Sequence, residues 1–580
     1  MAGGVSFRVW APSHERVAVV LDGRDVSLAR EDGGYFCAVI AEAGAGTLYR
    51  LRVDGANETY PDPASRFQPE GPHGPSQVID AGAYAWRDRD WSGVTIDDLV
   101  LYELHVGTFT REGTYAAAAE HLDSLRDIGI NAIELMPLNE FPGKFGWGYD
   151  GVDLWAPTRL YGTPDALRRF IDEAHARGIA VLLDVVYNHL GPDGCYLPKF
   201  SKSYFTDRYK NEWGEPVNFD GDDARGAREF IAGNAAYWID EYHFDGLRID
   251  ATQSMFDASP RHILQEIRES ARDAAGTRKV VLIAENEPQE RRILTGYGLD
   301  ALWNDDWHHS ARVAATGNIE AYYSDYRGTA REFVSMARHG FLYQGQHYTW
   351  QKKRRGTNSR DLDPRRLVCF LQNHDQVANS ARGQRLHELT SPGRYRALTA
   401  LLLLQPQTPM LFQGQEFGAS SPFVYFADHE PELAKLVEKG RADFLRQFPS
   451  LASVRFAPPH EWQTFERCKL DHSRRNRQFV ALHRDLLRLR REFALAGRKP
   501  EASALDEDCF ILRWETLLLL VNLGRARVLR PVDEPLLANE RRWSTKWSSE
   551  AIEYGGSGVT GPETADGWII PGQAAVLLTA

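Results

Sequence analysis

Between residues 100 and 412 the chain carries eight short apolar runs in series, and that order constrains the fold more than any other feature. The runs lie at 100–105, 132–136, 179–186, 246–249, 280–284, 301–303, 367–371 and 410–412. Amphipathic stretches such as 165–177 and 260–275 separate them, the alternation that predicts parallel strands built from βα units. Eight such units in series is the count a closed (β/α)₈ barrel requires. An open doubly wound sheet shares the local pattern and stands as the alternative.

Both flanks read differently. Residues 5–10, 17–21 and 48–53 alternate in strand fashion between turn formers such as Asp22-Gly23, which predicts a small antiparallel sandwich. A Pro- and Gly-rich stretch, 60–75, then leads towards the barrel. After residue 497 the chain returns to β character at 509–514, 517–522 and 574–578. The expected fold class is therefore α/β: an N-terminal β-sandwich over 1–90, a (β/α)₈ TIM barrel with loop insertions over 91–497, and a C-terminal β-sandwich domain over 498–580. No internal repeat of 20 to 50 residues interrupts this plan.

Composition narrows the function. With 68 basic and 80 acidic residues the net charge is −12, which disfavours a nucleic acid or other polyanion as the main partner. Two basic stretches, 352–355 and 474–491, do not reverse this. The second places Phe479, Val480, Leu482, Leu486 and Leu489 at helical spacing, so its charges form the solvated face of an amphipathic helix. The 5 cysteines are scattered without metal-ligand spacing, as in a reducing compartment. Neither a leader-like N-terminus nor an apolar run of membrane-spanning length occurs, so a cytoplasmic protein with no membrane partner is expected. No phosphate-binding loop or cofactor motif is evident, and no cofactor or metal is expected; Asp222-Asp223 reads as a capped or solvated turn rather than a Ca²⁺ site. Nothing in the chain signals an oligomeric state.

In a barrel the reactive groups stand where strands end and βα loops begin. Four of these ends are unusually polar: 184–189 (DVVYNH), 246–251 (GLRIDA), 284–287 (AENE) and 373–376 (NHDQ). Any one of them alone could cap a helix or make a turn. A closed barrel, however, gathers all four on one rim. Arg248 and Asp250 are two apart on a strand, so both side chains point the same way and the guanidinium keeps the carboxylate ionised, as a nucleophile must be. Glu285 follows a wholly apolar strand, where desolvation and a second carboxylate raise the pKa of a proton donor. One ionised and one protonated carboxyl is the pair that glycoside hydrolysis uses.

These four stretches, in this order on the third, fourth, fifth and seventh strands, resemble the four motifs of the α-amylase superfamily. The resemblance implies that Asp250 is the nucleophile, Glu285 the acid/base and Asp375 the carboxylate that distorts the sugar. It also implies that His189, Arg248 and His374 hold the reacting glucose and that Tyr149, in 146–150 (GWGYD), stacks on it. The opening FRVWAP at 7–12 is similar to the glucan-associated, immunoglobulin-like domain that precedes the barrel in branching enzymes, isoamylase-type debranchers and trehalohydrolases.

Within the superfamily, 146–152, 189–197, 370–379, 409–418 and above all 423–429 (FVYFADH) are similar to the maltooligosyltrehalose trehalohydrolases. A branching enzyme would usually show Glu where this chain has Gln376. That resemblance implies hydrolysis of the α-1,4 bond next to the terminal trehalose unit of maltooligosyl trehalose. Asp305, Asp306, His308 and His309 become candidates for the trehalose-binding wall, with Gln253, Gln376 and Asn379 on the catalytic loops beside them. Trp213 and the 352–355 loop could line an outer subsite, though plain surface exposure is the simpler reading. Cys195, Gln413 and Gln415 stand where other polar residues were expected. Two rival readings are a 1,4-α-glucan branching or debranching enzyme with the same carboxylates, and a non-catalytic glucan-binding protein, whose signature would be a lost carboxylate.

Overall fold

The computed structural model describes residues 3–380, 382–454, 456–529, 534–538, 542–564 and 567–580. Eight parallel strands close into a barrel in the order β3-β4-β5-β6-β7-β8-β1-β2. They are β1 (Leu101–Leu104), β2 (Ala132–Leu135), β3 (Ala180–Val185), β4 (Gly246–Ile249), β5 (Val281–Ala284), β6 (Ala301–Trp303), β7 (Leu367–Phe370) and β8 (Thr408–Phe412). Each of the eight apolar runs supplies one strand. All are buried end to end, as strands covered by helices outside and packed side chains inside must be.

The helices used below are α1 (Pro164–His175), α2 (Arg225–Glu241), α3 (Ile263–Ala275), α4 (Asp305–Thr316), α5 (His374–Ala378), α6 (Pro431–Leu445) and α7 (Arg477–Glu492). Thr163 caps α1 by accepting from Ala166 N, with Pro164 in its first turn. Helix α3 starts at Ile263, three residues later than the apolar pattern suggests, because His262 caps it and Gln265 returns the bond to the His262 backbone. In α7 Leu482, Leu486, Leu487 and Leu489 form the buried stripe.

On the N-terminal side, a three-stranded sheet (Val5–Trp10, Tyr35–Ile40, Ala29–Arg30) accompanies a four-stranded one (Arg24–Ser27, Val17–Leu21, Leu48–Val53, Ser76–Gln77). Trp10 seats this unit on the barrel by lying against Gly226 of α2, where a Cβ would fall 2.2 Å from the indole. The C-terminal region holds a five-stranded and a three-stranded sheet, all their pairings antiparallel. Among the described residues no helix is long and apolar enough to cross a membrane.

The chain enters the barrel through a polar clamp at the rim where the strands begin. Asp88 accepts from His175 Nδ1 at 2.9 Å and His243 Nδ1 at 2.8 Å, while His175 Nε2 reaches Asp245 at 2.8 Å. Trp91 stacks on His175 with centroids 4.7 Å apart and donates to Asp245 at 2.6 Å. Burial opposes a charge on His175, but Asp245 and Asp88 outweigh it and raise the imidazole above 6.5. Asp88 likewise falls below 3.8, its desolvation overcome by the two histidines. The His175 contribution is full below pH 6.5 and fades as pH rises through its elevated pKa, whereas that of Asp88 is full above pH 3.8 and fades in acid. Asp88→Asn should therefore lower unfolding stability by about 3 kcal/mol between these limits. The deficit should shrink in alkaline denaturant titrations.

Candidate active site

Strand ends β3, β4, β5 and β7 present their polar residues to one mouth, and a single guanidinium joins those of β3, β4 and β5. Arg248 Nη1 donates to Asp184 at 2.8 and 2.9 Å and to Asp250 Oδ1 at 2.7 Å. Its Nη2 donates to Glu285 Oε2 at 2.8 Å. The guanidinium also lies 4.2 Å from the centroid of the Trp303 ring at the end of β6. Close pairing along β4 makes this possible: Gly246 has no room for a Cβ, which would stand 2.0 Å from Val281 O.

Asp250 ends β4 and is followed by Ala251 at φ +40°, a left-handed conformation rare for a residue with a Cβ. That turn aims Ala251 N at Glu285 Oε2, 3.0 Å away. Asn188 Nδ2 donates to Asp250 Oδ2 at 2.9 Å. Burial alone would raise Asp250, but Arg248, His189 and the Asn188 hydrogen bond hold its pKa below the usual carboxylate value. Glu285 moves the other way, to about 8, because desolvation and the nearby Asp250, Asp375 and Asp305 outweigh Arg248. The two carboxyls thus sit side by side in opposite protonation states at neutral pH.

Asp375 is the most open of the three, its side chain 42% exposed against 20% for Glu285 and 13% for Asp250. It lies in the first turn of α5, where helix N-terminal amides favour a negative charge. His374 Nε2 is 3.4 Å from its carboxylate. On the other ring nitrogen Glu103 of β1 accepts from His374 Nδ1 at 2.6 Å, and it also accepts from His374 N at 3.0 Å. Although burial lowers the imidazole, Asp375 and Glu103 raise it to about 9, so His374 is a cation at neutral pH. Tyr149 stacks on this imidazole at 5.0 Å and donates to Asp184 at 2.6 Å. His189 is buried beside Asn188 with a lowered pKa, caused by desolvation, and is neutral.

Of the remaining candidates, Asp305 lies near enough to Glu285 for its charge to help raise it: it begins α4, and burial, opposed by Arg355, raises Asp305 itself to about 7. Asp306 spends its oxygens on Tyr326 OH at 2.6 Å, Tyr343 N at 2.9 Å and Arg355 Nε at 3.0 Å, anchoring the hairpin Gln344–Tyr348/Lys353–Gly356. His308 stacks on Phe370 and His309 is enclosed by Tyr322, Tyr323 and Tyr326; burial keeps both neutral. Gln253 accepts from Glu287 N at 3.3 Å, bracing the β4 end on the β5 end. Gln376 accepts from Tyr322 and Tyr323 at 3.1 and 2.7 Å, and Asn379 accepts from Arg441 at 2.8 Å. Gln413 is structural, accepting from His105 N and donating to Thr108, both at 2.9 Å.

Glu103, Glu134, Arg441, Tyr322 and Tyr323 complete the surroundings and were not singled out from the sequence. The first two carried a readable signal, an acidic residue inside a buried apolar strand. Glu134 pairs in register with Glu103, and both its oxygens are buried without a partner; burial and the neighbouring Asp184 and Glu103 push its pKa well above the usual carboxylate value. Among the described residues no group of three or more His, Cys, Asp or Glu side chains is placed to hold a metal ion.

Residues 87–214 match the alpha amylase catalytic domain, 1–67 match carbohydrate-binding module 48 (isoamylase N-terminal domain), and 498–568 match a domain of unknown function. A malto-oligosyltrehalose trehalohydrolase from Deinococcus radiodurans is 40% identical over 93% of this chain and 91% of its own. Another from Saccharolobus solfataricus is 39% identical over 85% and 86%. The chain belongs to the malto-oligosyltrehalose trehalohydrolase family. It is accordingly a glycoside hydrolase of the α-amylase superfamily, on the barrel expected of that superfamily. Within this family's fold, the solved structure of a putative alpha amylase from Salmonella typhimurium, 34% identical, superposes with a TM-score of 0.88 and covers 99% of this chain and 97% of that one. A pullulanase from Paenibacillus barengoltzii, at 20% identity and a TM-score of 0.71, shares the fold.

Removing the shared cation should be severe in this trehalohydrolase-family chain. Arg248→Met leaves three buried carboxyls without a counter-charge, and unfolding at pH 7 should show a loss of about 3–5 kcal/mol. Because those carboxyls can take up protons, the deficit should narrow as pH falls below 5.

Proposed function

We propose that the protein releases trehalose from maltooligosyl trehalose by hydrolysing the α-1,4 bond next to the terminal trehalose unit, with net retention. Asp250 is the nucleophile, Glu285 the general acid and then base, and Asp375 the carboxylate that grips and distorts the reacting glucose. The observation that carries this reading is Arg248 bridging Asp250 and Glu285 while leaving them in opposite protonation states. One guanidinium spanning both carboxyls supports the closer spacing, about 5 Å, that distinguishes retaining from inverting glycosidases.

In the first step Glu285 gives its proton to the leaving glycosidic oxygen as Asp250 attacks the anomeric carbon, and the trehalose portion departs. Water, deprotonated by Glu285, then releases the sugar from Asp250. His374, as a cation, and neutral His189 donate to the hydroxyls of the reacting glucose, Arg248 keeps Asp250 ionised, and Tyr149 stacks on the sugar. Trehalose would lie against Asp305 and the rim around α4, on the Glu285 side; Gln253, Asp306, His308 and His309 support that rim from behind. The family names favour this substrate over an amylose-type glucan: the two trehalohydrolase relatives span nearly the whole chain, whereas a branching enzyme from Aliivibrio fischeri matches 43% of it at 35% identity. We further propose three units, 1–90, 91–497 and 498–580, in a cytoplasmic protein; five unpaired cysteines suit a reducing compartment.

Incubation with maltotriosyl trehalose should yield free trehalose, and incubation with amylose should yield no α-1,6 branches; the reverse pattern would overturn the assignment. Asp250→Ala and Glu285→Gln should each lower kcat by about 10³-fold or more without changing the fold. Since Glu285 must be protonated to act, kcat/KM should fall as pH rises through about 8. With Asp250 held below 3.8, the acid limb that its own protonation imposes on kcat/KM should have its midpoint below pH 3.8.

A further inference from the structure

Across the mouth from Glu285, side chains that follow β2 and β8 form a polar rim, which continues through residues after β7 towards Tyr322 after β6. Tyr425, in the 423–429 stretch after β8, donates to Asp150 at 3.2 Å. The guanidinium of Arg441 on α6 lies 5.7 Å from the Tyr425 ring centroid and donates through Nη2 to Ala378 O at 2.9 Å and Asn379 Oδ1 at 2.8 Å. Asn379 in turn donates to Tyr322 OH at 3.4 Å, and Tyr322 donates to Gln376. Helix α6 is otherwise an exposed element, with Ala434 and Leu445 its buried residues. Arg441 is turned inward, and Asp375 is the strongest charge acting on it. Among the described residues its Nε and Nη1 have no partner.

Barrel order decides which part of a glucan this rim meets. In a ring of eight strands β1 stands opposite β5, and β8 and β2 flank β1. Glu285 follows β5, whereas Tyr425 and Arg441 follow β8 and Asp150 follows β2. The acid must stand beside the leaving oxygen, so the leaving sugar occupies the Glu285 side. The units that remain on the nucleophile's side of the bond extend across the mouth, towards β8 and β2. Arg441 has free donors in a fixed fork there, and Asp150 has acceptors, a set suited to the neighbouring hydroxyls of a neutral glucose ring.

Resting on the hydrolytic reading above, we propose that Arg441, with Asp150 and Tyr425, binds the second glucosyl unit, next to the reacting glucose on the side away from Glu285, and thereby sets chain-length preference. The test compares glucosyl trehalose, which fills only the reacting position on that side, with maltotriosyl trehalose, which also fills the second. Arg441→Ala should raise KM for maltotriosyl trehalose about 10- to 100-fold with kcat little changed, and leave both constants for glucosyl trehalose near wild type. Arg441→Lys should restore part of the difference. Should Arg441→Ala lower the unfolding midpoint, Tyr425→Phe, which deletes only the hydroxyl on Asp150, should show the same split in smaller degree. Equal losses on both substrates, or no loss on either, overturn the proposal. Failure of the wild-type protein to release trehalose from either substrate would instead overturn the reading on which it rests.

Discussion

The ion cluster around Arg248 is the constraint on which the rest of the site depends. A buried guanidinium is costly to desolvate unless carboxylates surround it, and buried carboxylates are costly without a cation. Asp184, Asp250 and Glu285 answer both needs, but one positive charge cannot neutralise three negative ones. The imbalance is relieved by protons. Glu285 retains one up to about pH 8, burial raises Glu134 of the same barrel as well, and Asp250, which accepts from Asn188 in addition to Arg248, stays ionised. The division of labour between a nucleophile and an acid is therefore a consequence of charge balance in a poorly solvated space.

Barrel closure is what makes such a cluster attainable. Asp184, Arg248 and Glu285 come from three successive strands, and parallel pairing brings their ends within a few ångströms without any contact between neighbours in sequence. Ala251 adds a local device, a left-handed residue that turns its amide onto Glu285. Its strained conformation is held by the strand pairing on both sides of it. On β1 and β7 the Glu103–His374 pair does similar work for Asp375, keeping a protonated imidazole beside the most open of the carboxylates.

Some features escaped the sequence for identifiable reasons. Glu103 and Glu134 looked like single acidic interruptions in apolar strands, and only their registration against each other shows that they share one buried layer. Asp306, His308 and His309 follow a strand end just as Asp305 does, but a helix starting at Asp305 sends successive side chains in different directions, so the charge of Asp305 acts on Glu285 while Asp306 anchors a hairpin and the histidines pack inward. Arg441 sits in an insertion whose helical pattern is dominated by solvent-facing charge, which hides an inward cation.

By itself, the sequence determined the barrel, its eight strands, the β flanks and the four polar strand ends, because burial on both faces writes a continuous apolar run and strand-end chemistry lies next to it in the chain. Tertiary structure alone decided which polar groups share a proton, which histidines are charged and which residues line the far rim. Those properties depend on distances between segments far apart in the chain, 275 residues in the Tyr425–Asp150 bond, and on how completely water is excluded between them.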